Sequence, residues 1–335
     1  MGQIPSEHRL SESHPLPIEP GPAESLTRTT AVQIFRWGVE QMPTESGRPR
    51  LMPTATTDLV AIEEPLEIRL QYGPTHQRIS RSLSITMRTP GDDYELAVGF
   101  LLSEGIIRRA SDVLTYEHSL TTTESTANVV RVAVSPEVSV DIEKLQRHFY
   151  TTSSCGLCGK TSLEALERQG LSPVPCADWR LSASWIAALP AALRKAQKTF
   201  AATGGLHASG LFVANGPLVL LREDVGRHNA LDKVLGRLLL EDRLPLQGHV
   251  LLVSGRTSLE LMQKAVVAGI PVLGAIGAPS SLAINCAERF GVTLLGFVSE
   301  NRFNCYANPQ RIEPLGAKPS LISSPGVLPN DDGAT

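Results

Sequence analysis

The chain has 335 residues, of which 42% are hydrophobic and 19% are charged, and its formal net charge is −3. This composition is typical of a folded globular protein, and the length is enough for two domains. The small negative charge gives no overall attraction to nucleic acid or to an anionic membrane, and no apolar run reaches the roughly 18 residues of a membrane span. We therefore expect a protein that binds neither nucleic acid nor membrane.

The cysteine content and the N-terminus both favour a cytoplasmic protein. Only Cys155 and Cys158 of the five cysteines lie close together in the sequence, which does not suggest a disulfide framework. Residues 1–8 lack the basic segment and following apolar segment of a secretory signal. A reducing compartment is the expected location.

Composition divides the chain into four parts. Residues 1–50 are rich in Pro, Ser, Glu and Thr, so we predict a mostly disordered extension with one edge strand over 31–37. Residues 313–335 are predicted to form a disordered tail. A small α+β domain is predicted over 55–150, and a larger α/β domain with the cysteine pair at its start over 151–312.

The smaller domain begins with two strand patterns. Residues 67–70 and 83–88 alternate between apolar and polar side chains, which predicts strands. A turn over 89–93 is followed by the apolar stretch 95–102, which predicts a mostly buried helix. A further strand is predicted over 129–134.

The cysteine pair sits among small polar residues and glycines, just before a helical pattern over 162–166. A thiol near a helix N-terminus and beside Lys160 has its thiolate form favoured, and the thiolate is both the nucleophile and the metal-binding form of cysteine. From the spacing alone, Cys155 and Cys158 suit a structural zinc site, dithiol exchange or a persulfide that carries sulfur.

Several of these alternatives lack supporting residues. A zinc site needs two more ligands, and the remaining cysteines are isolated in the sequence: Cys176, Cys286 and Cys305. A zinc deaminase needs an H-x-E motif, which His207-Ala208-Ser209 does not supply. A phosphate-binding loop would need a glycine in place of Ser154 and a preceding buried strand. Dithiol exchange and sulfur transfer remain open at this point.

Beyond the cysteine loop, apolar runs alternate with helical patterns. A helix is predicted over 182–202, and the Asn215-Gly216 pair predicts a β-hairpin over 207–221. Strands are predicted over 250–253, 271–276 and 292–297, and helices over 259–268 and 282–290. Continuous apolar strands that alternate with helices indicate a parallel sheet with right-handed crossovers.

In such a sheet, ligands bind beyond the carboxyl ends of the strands. Four segments are therefore expected to meet at one edge: 222–229, 254–258, 278–281 and 298–302. They carry Ser- and Thr-rich helix starts and four arginines: Arg222, Arg227, Arg256 and Arg302. Any one of these residues is expected to cap a helix or to pair with a carboxylate. Together they predict a site for a polyanionic ligand such as a nucleotide.

Several motifs occur in the order and spacing of one known family. They cover residues 88–93, 152–159 (TSSCGLCG), 205–210, 222–233 (REDVGRHNALDK), 254–256 and 301–304. From about Glu63 to Ile312 the sequence resembles the formate dehydrogenase accessory sulfurtransferases of the FdhD family. This match is far more specific than an isolated C-x-x-C.

The resemblance implies a sulfur carrier. Its persulfide cysteine falls on Cys155, and Cys158 is the second, supporting thiol. The implied sulfur donor is a cysteine desulfurase, and the implied acceptor is the molybdenum cofactor, bis-molybdopterin guanine dinucleotide, which serves formate dehydrogenase. We expect no metal ion bound directly by the protein, and we expect a homodimer. The alternative is a zinc-binding interaction module or a dithiol oxidoreductase that uses the same cysteines.

The resemblance also implies a fold and a cofactor site. The fold is similar to that of the cytidine deaminases, a mixed sheet with helices on both faces, beside the smaller N-terminal α+β domain. The family's cofactor-binding stretch matches Phe297, Val298, Ser299, Glu300, Asn301 and Arg302. From the neighbouring loop ends we add Arg256 and His228 as expected cofactor contacts.

Overall fold

A computed structural model describes residues 27–39, 51–119, 128–140, 170–175 and 179–313. Cys155 and Cys158 lie outside these ranges, as does the helix predicted over 162–166. Most of the predicted N-terminal extension and all but the first residue of the predicted tail also lie outside them.

The described residues form twelve strands and six α-helices. The strands are β1 (Thr29–Val39), β2 (Leu51–Ala61), β3 (Glu64–Tyr72), β4 (Ile79–Arg88), β5 (Val113–Ser119), β6 (Val129–Val134), β7 (His207–Val213), β8 (Leu218–Asp224), β9 (His249–Val253), β10 (Val272–Ala275), β11 (Thr293–Ser299) and β12 (Arg302–Ala307). The helices are α1 (Asp93–Ser103), α2 (Ala183–Ala196), α3 (Lys198–Thr203), α4 (Arg227–Leu240), α5 (Leu259–Val267) and α6 (Ser281–Arg289). Short 3₁₀ turns occupy Ala110–Asp112 and Pro309–Arg311.

These strands form three sheets. β1 and β2 pair as an antiparallel ribbon, which confirms the strand predicted over 31–37 and extends it in both directions. A four-stranded sheet has the order β4-β3-β6-β5, and its predicted strands are confirmed. The central sheet has the order β12-β11-β10-β9-β7-β8.

The central sheet is mixed. β9, β10 and β11 are parallel, and α5 and α6 connect them in the predicted alternation. The β7–β8 hairpin is confirmed, with Asn215 at a φ of 54° in its turn, and β7 pairs antiparallel with β9. The sequence prediction lacked β12, which pairs antiparallel with β11 at the outer edge of the sheet.

Helices cover both faces of this sheet, because successive side chains of a buried strand point to opposite sides. Leu251 and Val253 belong to the apolar cluster that includes α4, α5 and α6. Val250 and Leu252 belong to a second cluster, with Leu189 of α2. The predicted α/β class with a mixed sheet is therefore confirmed, while the likeness to the cytidine deaminases stays a prediction.

The prediction of a single helix over 182–202 is wrong, because the structure has two helices there: α2 ends and α3 begins around Gln197. Gln197 has a ψ of 81°, outside the helical region. The buried carboxylate of Glu223 accepts hydrogen bonds from the backbone N–H groups of Thr199 (3.0 Å) and Phe200 (2.8 Å). It therefore caps the start of α3 from a distant strand, which a local pattern does not reveal.

One buried apolar cluster runs from the four-stranded sheet through α1 and α4 to the central sheet. Its members include Leu66 of β3, Leu101 of α1, Leu235 of α4 and Leu251 of β9. The predicted domain boundary near residue 150 lies outside the described residues and stays a prediction. None of the helices in the described ranges is long and apolar enough to cross a membrane.

Candidate functional site at the carboxyl edge of the central sheet

The loops that follow the parallel strands are hydrogen-bonded to one another in series. The N–H of Thr257, after β9, donates to the carbonyl of Ala278, after β10, at 3.1 Å. The N–H of Gly277 donates to the carbonyl of Gly255, and the N–H of Phe297 in β11 donates to the carbonyl of Gly277, both at 3.1 Å. Three of the four predicted segments therefore form one continuous rim.

His228 joins the fourth segment to this rim. It lies in the first turn of α4, directly after β8, and its Nε2 is 3.3 Å from Ser258 Oγ and 2.9 Å from Glu260 Oε2. The hydrogen bond from His228 lowers the pKa of the Glu260 carboxyl. The four segments thus meet at one edge, as the sheet topology predicted.

Three of the four predicted arginines lie at this edge, and none of them forms a salt bridge with a carboxylate among the described residues, although the charge of Arg227 acts on Glu260 from a longer distance. Arg256 and Arg302 are exposed. Arg227 is half-buried, and its Nε has no hydrogen-bond partner within the described part of the chain. Guanidinium groups that form no salt bridge within the protein are suited to binding phosphate or carboxylate groups of a ligand.

Arg222 differs from these three arginines, because it is paired with carboxylates at the start of α1. Its Nη2 lies 2.8 Å from Glu95 Oε1 in α1, and its Nε lies 3.6 Å from Asp92 Oδ2. Burial raises the pKa of Glu95 despite the opposing charge of Arg222. Arg222 is therefore paired with carboxylates, as expected for any single residue of the four segments, and it adds no free positive charge to the predicted anion site.

The stretch predicted to bind the cofactor is the end of the β11–β12 hairpin. Phe297 has a φ of 52° and is 40% exposed. Val298 is 1% exposed and packs in the core, so only its backbone remains for a ligand. Ser299 pairs with Arg302 across the two-residue turn Glu300–Asn301, and Ser299 Oγ donates to the Arg302 carbonyl at 3.0 Å.

Arg256 lies close to this hairpin. A Cβ atom on Gly277 would be 3.0 Å from Arg256 Cγ, so the stem of Arg256 runs over Gly277. Gly277 in turn accepts the hydrogen bond from Phe297. The structure therefore brings Arg256 and the start of the predicted stretch together, while His228 approaches the same rim from α4.

The serines at the helix starts have structural roles. Ser258 caps α5 and Ser280 caps α6, because each Oγ accepts from a backbone N–H in the first turn of its helix, at 3.4 and 3.2 Å. Helix α4 differs, since its N-cap residue is Gly226, which has no side chain. The first turn of α4 instead presents Arg227 and His228.

Sequence reasoning missed a cleft of about 370 Å³ beside this rim. Its polar lining includes Gln197, His207 and Ser254, and its apolar lining includes Phe200 and Ile276. Gln197 is 3% exposed, and its Nε2 has no hydrogen-bond partner among the described residues. A buried amide without a partner, inside a cleft, is a group that a ligand can satisfy.

His207 is electrically neutral in this environment near neutral pH. Burial lowers its pKa, and the positive charges of Arg227 and His228 lower it further. Its Nδ1 lies 3.5 Å from Ser254 Oγ, which also accepts the Ala208 N–H at 2.9 Å. The sequence placed His207 at the start of the predicted β-hairpin and in a motif of the resembled family, but neither pattern assigned it a role in ligand binding.

Comparisons with known proteins agree on one family. Residues 61–313 match the model of the FdhD/NarQ family. The sulfur carrier protein FdhD of Nocardia farcinica is 47% identical over 260 residues, covering 78% of this chain and 90% of that protein. The sulfur carrier protein FdhD of Streptomyces avermitilis is 50% identical over 261 residues, covering 76% of this chain and 89% of that protein.

A solved structure agrees with these sequence matches. A protein from Desulfotalea psychrophila, described as a formate dehydrogenase accessory protein, is 25% identical and superposes with a TM-score of 0.59. The match covers 84% of this chain and 99% of that protein. On the family match and the identity to these relatives, the chain belongs to the FdhD/NarQ family.

Proposed function

We propose that this chain is a sulfur carrier that acts in the maturation of formate dehydrogenase. Relatives that are 47–50% identical are named sulfur carrier proteins, which supports the sulfur-carrying role. The observation that carries the proposal for the acceptor is the rim of Arg227, Arg256 and Arg302, because it offers unpaired positive charge to a phosphate-rich ligand.

The sulfur enters on Cys155. Its thiolate attacks the terminal sulfur of a persulfide on a cysteine desulfurase, so that one S–S bond breaks and another forms. The donor cysteine leaves as a thiolate, and Cys155 carries the persulfide, with no net oxidation or reduction. Cys158 is the supporting thiol of this step. Lys160 and the start of the following helical pattern favour the Cys155 thiolate.

The acceptor is the molybdenum cofactor, bis-molybdopterin guanine dinucleotide, bound as substrate at the carboxyl edge of the central sheet. Its phosphates lie against Arg256 and Arg302, near the exposed ring of Phe297. An uncharged ring of the ligand occupies the cleft, where Gln197 donates and neutral His207 and Ser254 add polar contacts. The protein works in the cytoplasm as a homodimer.

The experiment that tests this proposal measures persulfide on the protein after incubation with a cysteine desulfurase and cysteine. Mass spectrometry of the wild type is expected to place one extra sulfur on the peptide that contains Cys155. Cys155→Ala should lose both this loading and the activation of formate dehydrogenase. If Cys155→Ala still loads sulfur and still activates the enzyme, the proposal is wrong.

Cys305 provides a matched control. It is an exposed residue, but burial of its thiol raises the pKa, so less of it is thiolate. Cys305→Ala should therefore load and deliver sulfur as the wild type does. Metal analysis of the same preparations addresses the alternative: one tightly held zinc per chain, lost in Cys155→Ala, would favour a metal-binding module instead.

A further inference from the structure

A fully buried ion pair lies directly behind the candidate site. Lys233 Nζ in α4 is 2.7 Å from Asp224 Oδ2 at the end of β8, and both side chains are 0% exposed. Taking two charges out of water is expensive, and such a pair is often no more stabilising than apolar residues of the same size. Its presence therefore calls for an explanation other than stability.

Asp224 holds the turn that starts α4. Its Oδ1 accepts from the N–H of Gly226 at 2.8 Å and from Asn229 Nδ2 at 3.1 Å. Because Gly226 is the N-cap and has no side chain, the Asp224 carboxylate fixes the helix start from the inside. A Cβ on Gly226 would lie 3.0 Å from Asn229 Nδ2, so the turn is also closely packed.

The same pair ties this turn to the segment between β4 and α1. Lys233 Nζ donates to the carbonyl of Thr89 at 2.9 Å, and Asp224 Oδ2 accepts from the Thr89 N–H at 3.2 Å. Thr89 Oγ1 in turn accepts from the N–H of Val225 at 3.2 Å. Two motifs far apart in the sequence, 88–93 and 222–233, thus form one buried hydrogen-bonded unit.

The turn held in this way carries Arg227 and His228 on its outer side. His228 reaches Ser258 and Glu260, and Arg227 approaches the loop after β9, where its Cδ would be 3.7 Å from a Cβ on Gly255. We infer that Asp224 and Lys233 are positioning residues, which fix the first turn of α4 so that Arg227 and His228 face the ligand. This inference rests on the proposed function, in which the rim binds the phosphates of the ligand through Arg227, Arg256 and Arg302.

A second ion pair on the same helix provides the control. Lys264 of α5 lies 2.7 Å from Asp232 of α4, whose Oδ1 also accepts from Ser103 Oγ at 2.7 Å. Both side chains are largely buried, at 12% and 4% exposed. This pair joins α4 to α5 and α1, and its side-chain hydrogen bonds among the described residues do not reach Gly226, Val225 or Thr89. It acts on His228 only through the charge of Asp232. A merely structural role predicts that the two pairs behave alike.

The test compares two double variants with similar side-chain volumes, Asp224→Asn/Lys233→Met and Asp232→Asn/Lys264→Met. Guanosine diphosphate is the probe, with its Kd measured by calorimetry and unfolding followed by thermal melting. We expect Asp224→Asn/Lys233→Met to bind the probe at least tenfold more weakly. Asp232→Asn/Lys264→Met should stay within twofold of the wild-type Kd, even where its melting temperature falls. Persulfide loading on Cys155 should persist in both.

The inference is overturned if Asp224→Asn/Lys233→Met binds the probe as the wild type does, or if both double variants lose affinity to the same extent. It is also overturned, together with the anion-binding rim, if the wild type does not bind the probe. A wild type that binds the probe but carries no persulfide would overturn the sulfur-carrier proposal alone.

A milder variant covers the case in which Asp224→Asn/Lys233→Met does not fold. Thr89→Val keeps the side-chain volume and the ion pair, but it removes the acceptor for the Val225 N–H. We expect a two- to fivefold higher Kd for guanosine diphosphate. An unchanged Kd in a folded Thr89→Val protein would overturn the inference.

Discussion

Gly236 of α4 lies directly against the backbone of Glu95 in α1, since a Cβ atom on Gly236 would be 1.8 Å from the Glu95 carbonyl oxygen. The contact is reciprocal, because a Cβ on Gly99 of α1 would be 1.9 Å from the carbonyl oxygen of Asp232. The two helices therefore meet backbone to backbone. This crossing places α4, which carries Arg227 and His228, against the helix that follows the 88–93 motif.

Gly236→Ala is expected to destabilise the protein by about 3 kcal/mol, because overpacking against a backbone cannot be relieved by a side-chain rotation. Denaturant unfolding followed by circular dichroism measures the change in the free energy of unfolding. Gly248→Ala is the control, since a Cβ there meets nothing within 4 Å, and it should change that free energy by less than about 0.5 kcal/mol. Equal effects of the two substitutions would contradict the close crossing.

The sequence predicted the elements whose side-chain pattern is set by their own strand or helix. The β9–α5–β10–α6–β11 succession is an example, because buried parallel strands are continuously apolar and the helices between them begin at capping serines. β2 was not predicted, because its sequence LMPTATTDLVA contains a proline and several threonines and lacks a regular apolar alternation. The strand forms by pairing with β1. β12 is a mostly exposed edge strand and carries an equally weak pattern.

The site was predictable to the extent that sheet topology determines it. The convergence of the four loop ends follows from strand direction, so Arg256 and Arg302 could be placed in advance. The cleft could not be predicted, because Gln197 lines it at the break between α2 and α3. That break is stabilised by Glu223, which belongs to a distant strand. The ion pair between Arg222 and Glu95 could not be predicted either, because it depends on where α1 lies relative to β8, and no local sequence pattern indicates that arrangement.

Arg256→Ala and Arg302→Ala should each weaken guanosine diphosphate binding by about tenfold. A charge-assisted hydrogen bond contributes roughly 1.5–3 kcal/mol, and neither arginine has another anionic partner in the described ranges. Calorimetry gives the Kd, and mass spectrometry should show unchanged persulfide on Cys155. Arg81→Ala, at an exposed position on β4, is the charge-matched control and should keep the wild-type Kd. Wild-type affinity in both rim variants would count against the rim.

Gln197→Leu should weaken ligand binding without weakening the fold. The Nε2 of Gln197 is buried without a partner in the described part of the chain, so replacing the amide by an apolar group removes an unsatisfied donor. The melting temperature should therefore stay the same or rise, while the Kd for guanosine diphosphate rises several-fold. A lower melting temperature with an unchanged Kd would show that Gln197 serves the core rather than the ligand.

His207 should titrate below its ordinary pKa of 6.5, because burial and the charges of Arg227 and His228 oppose its protonation. Since the unfolded chain then binds more protons, the free energy of unfolding should fall as the pH drops from 6.5 through the lowered pKa, and should be unaffected by His207 above 6.5. Arg227→Gln removes one of the opposing charges and should raise the pKa, and so should bound guanosine diphosphate, whose phosphates add negative charge at the rim.

NMR titration of the histidine ring protons measures these shifts. His249 is the internal control, because burial and the charge of Arg243, rather than Arg227, lower its pKa. It should therefore titrate identically in the wild type and in Arg227→Gln, with or without the nucleotide. If the pKa values of His207 and His249 move together, the change is a general effect on the fold. A rise at His207 alone places Arg227 and the bound phosphates beside it, at the rim where the acceptor is proposed to lie.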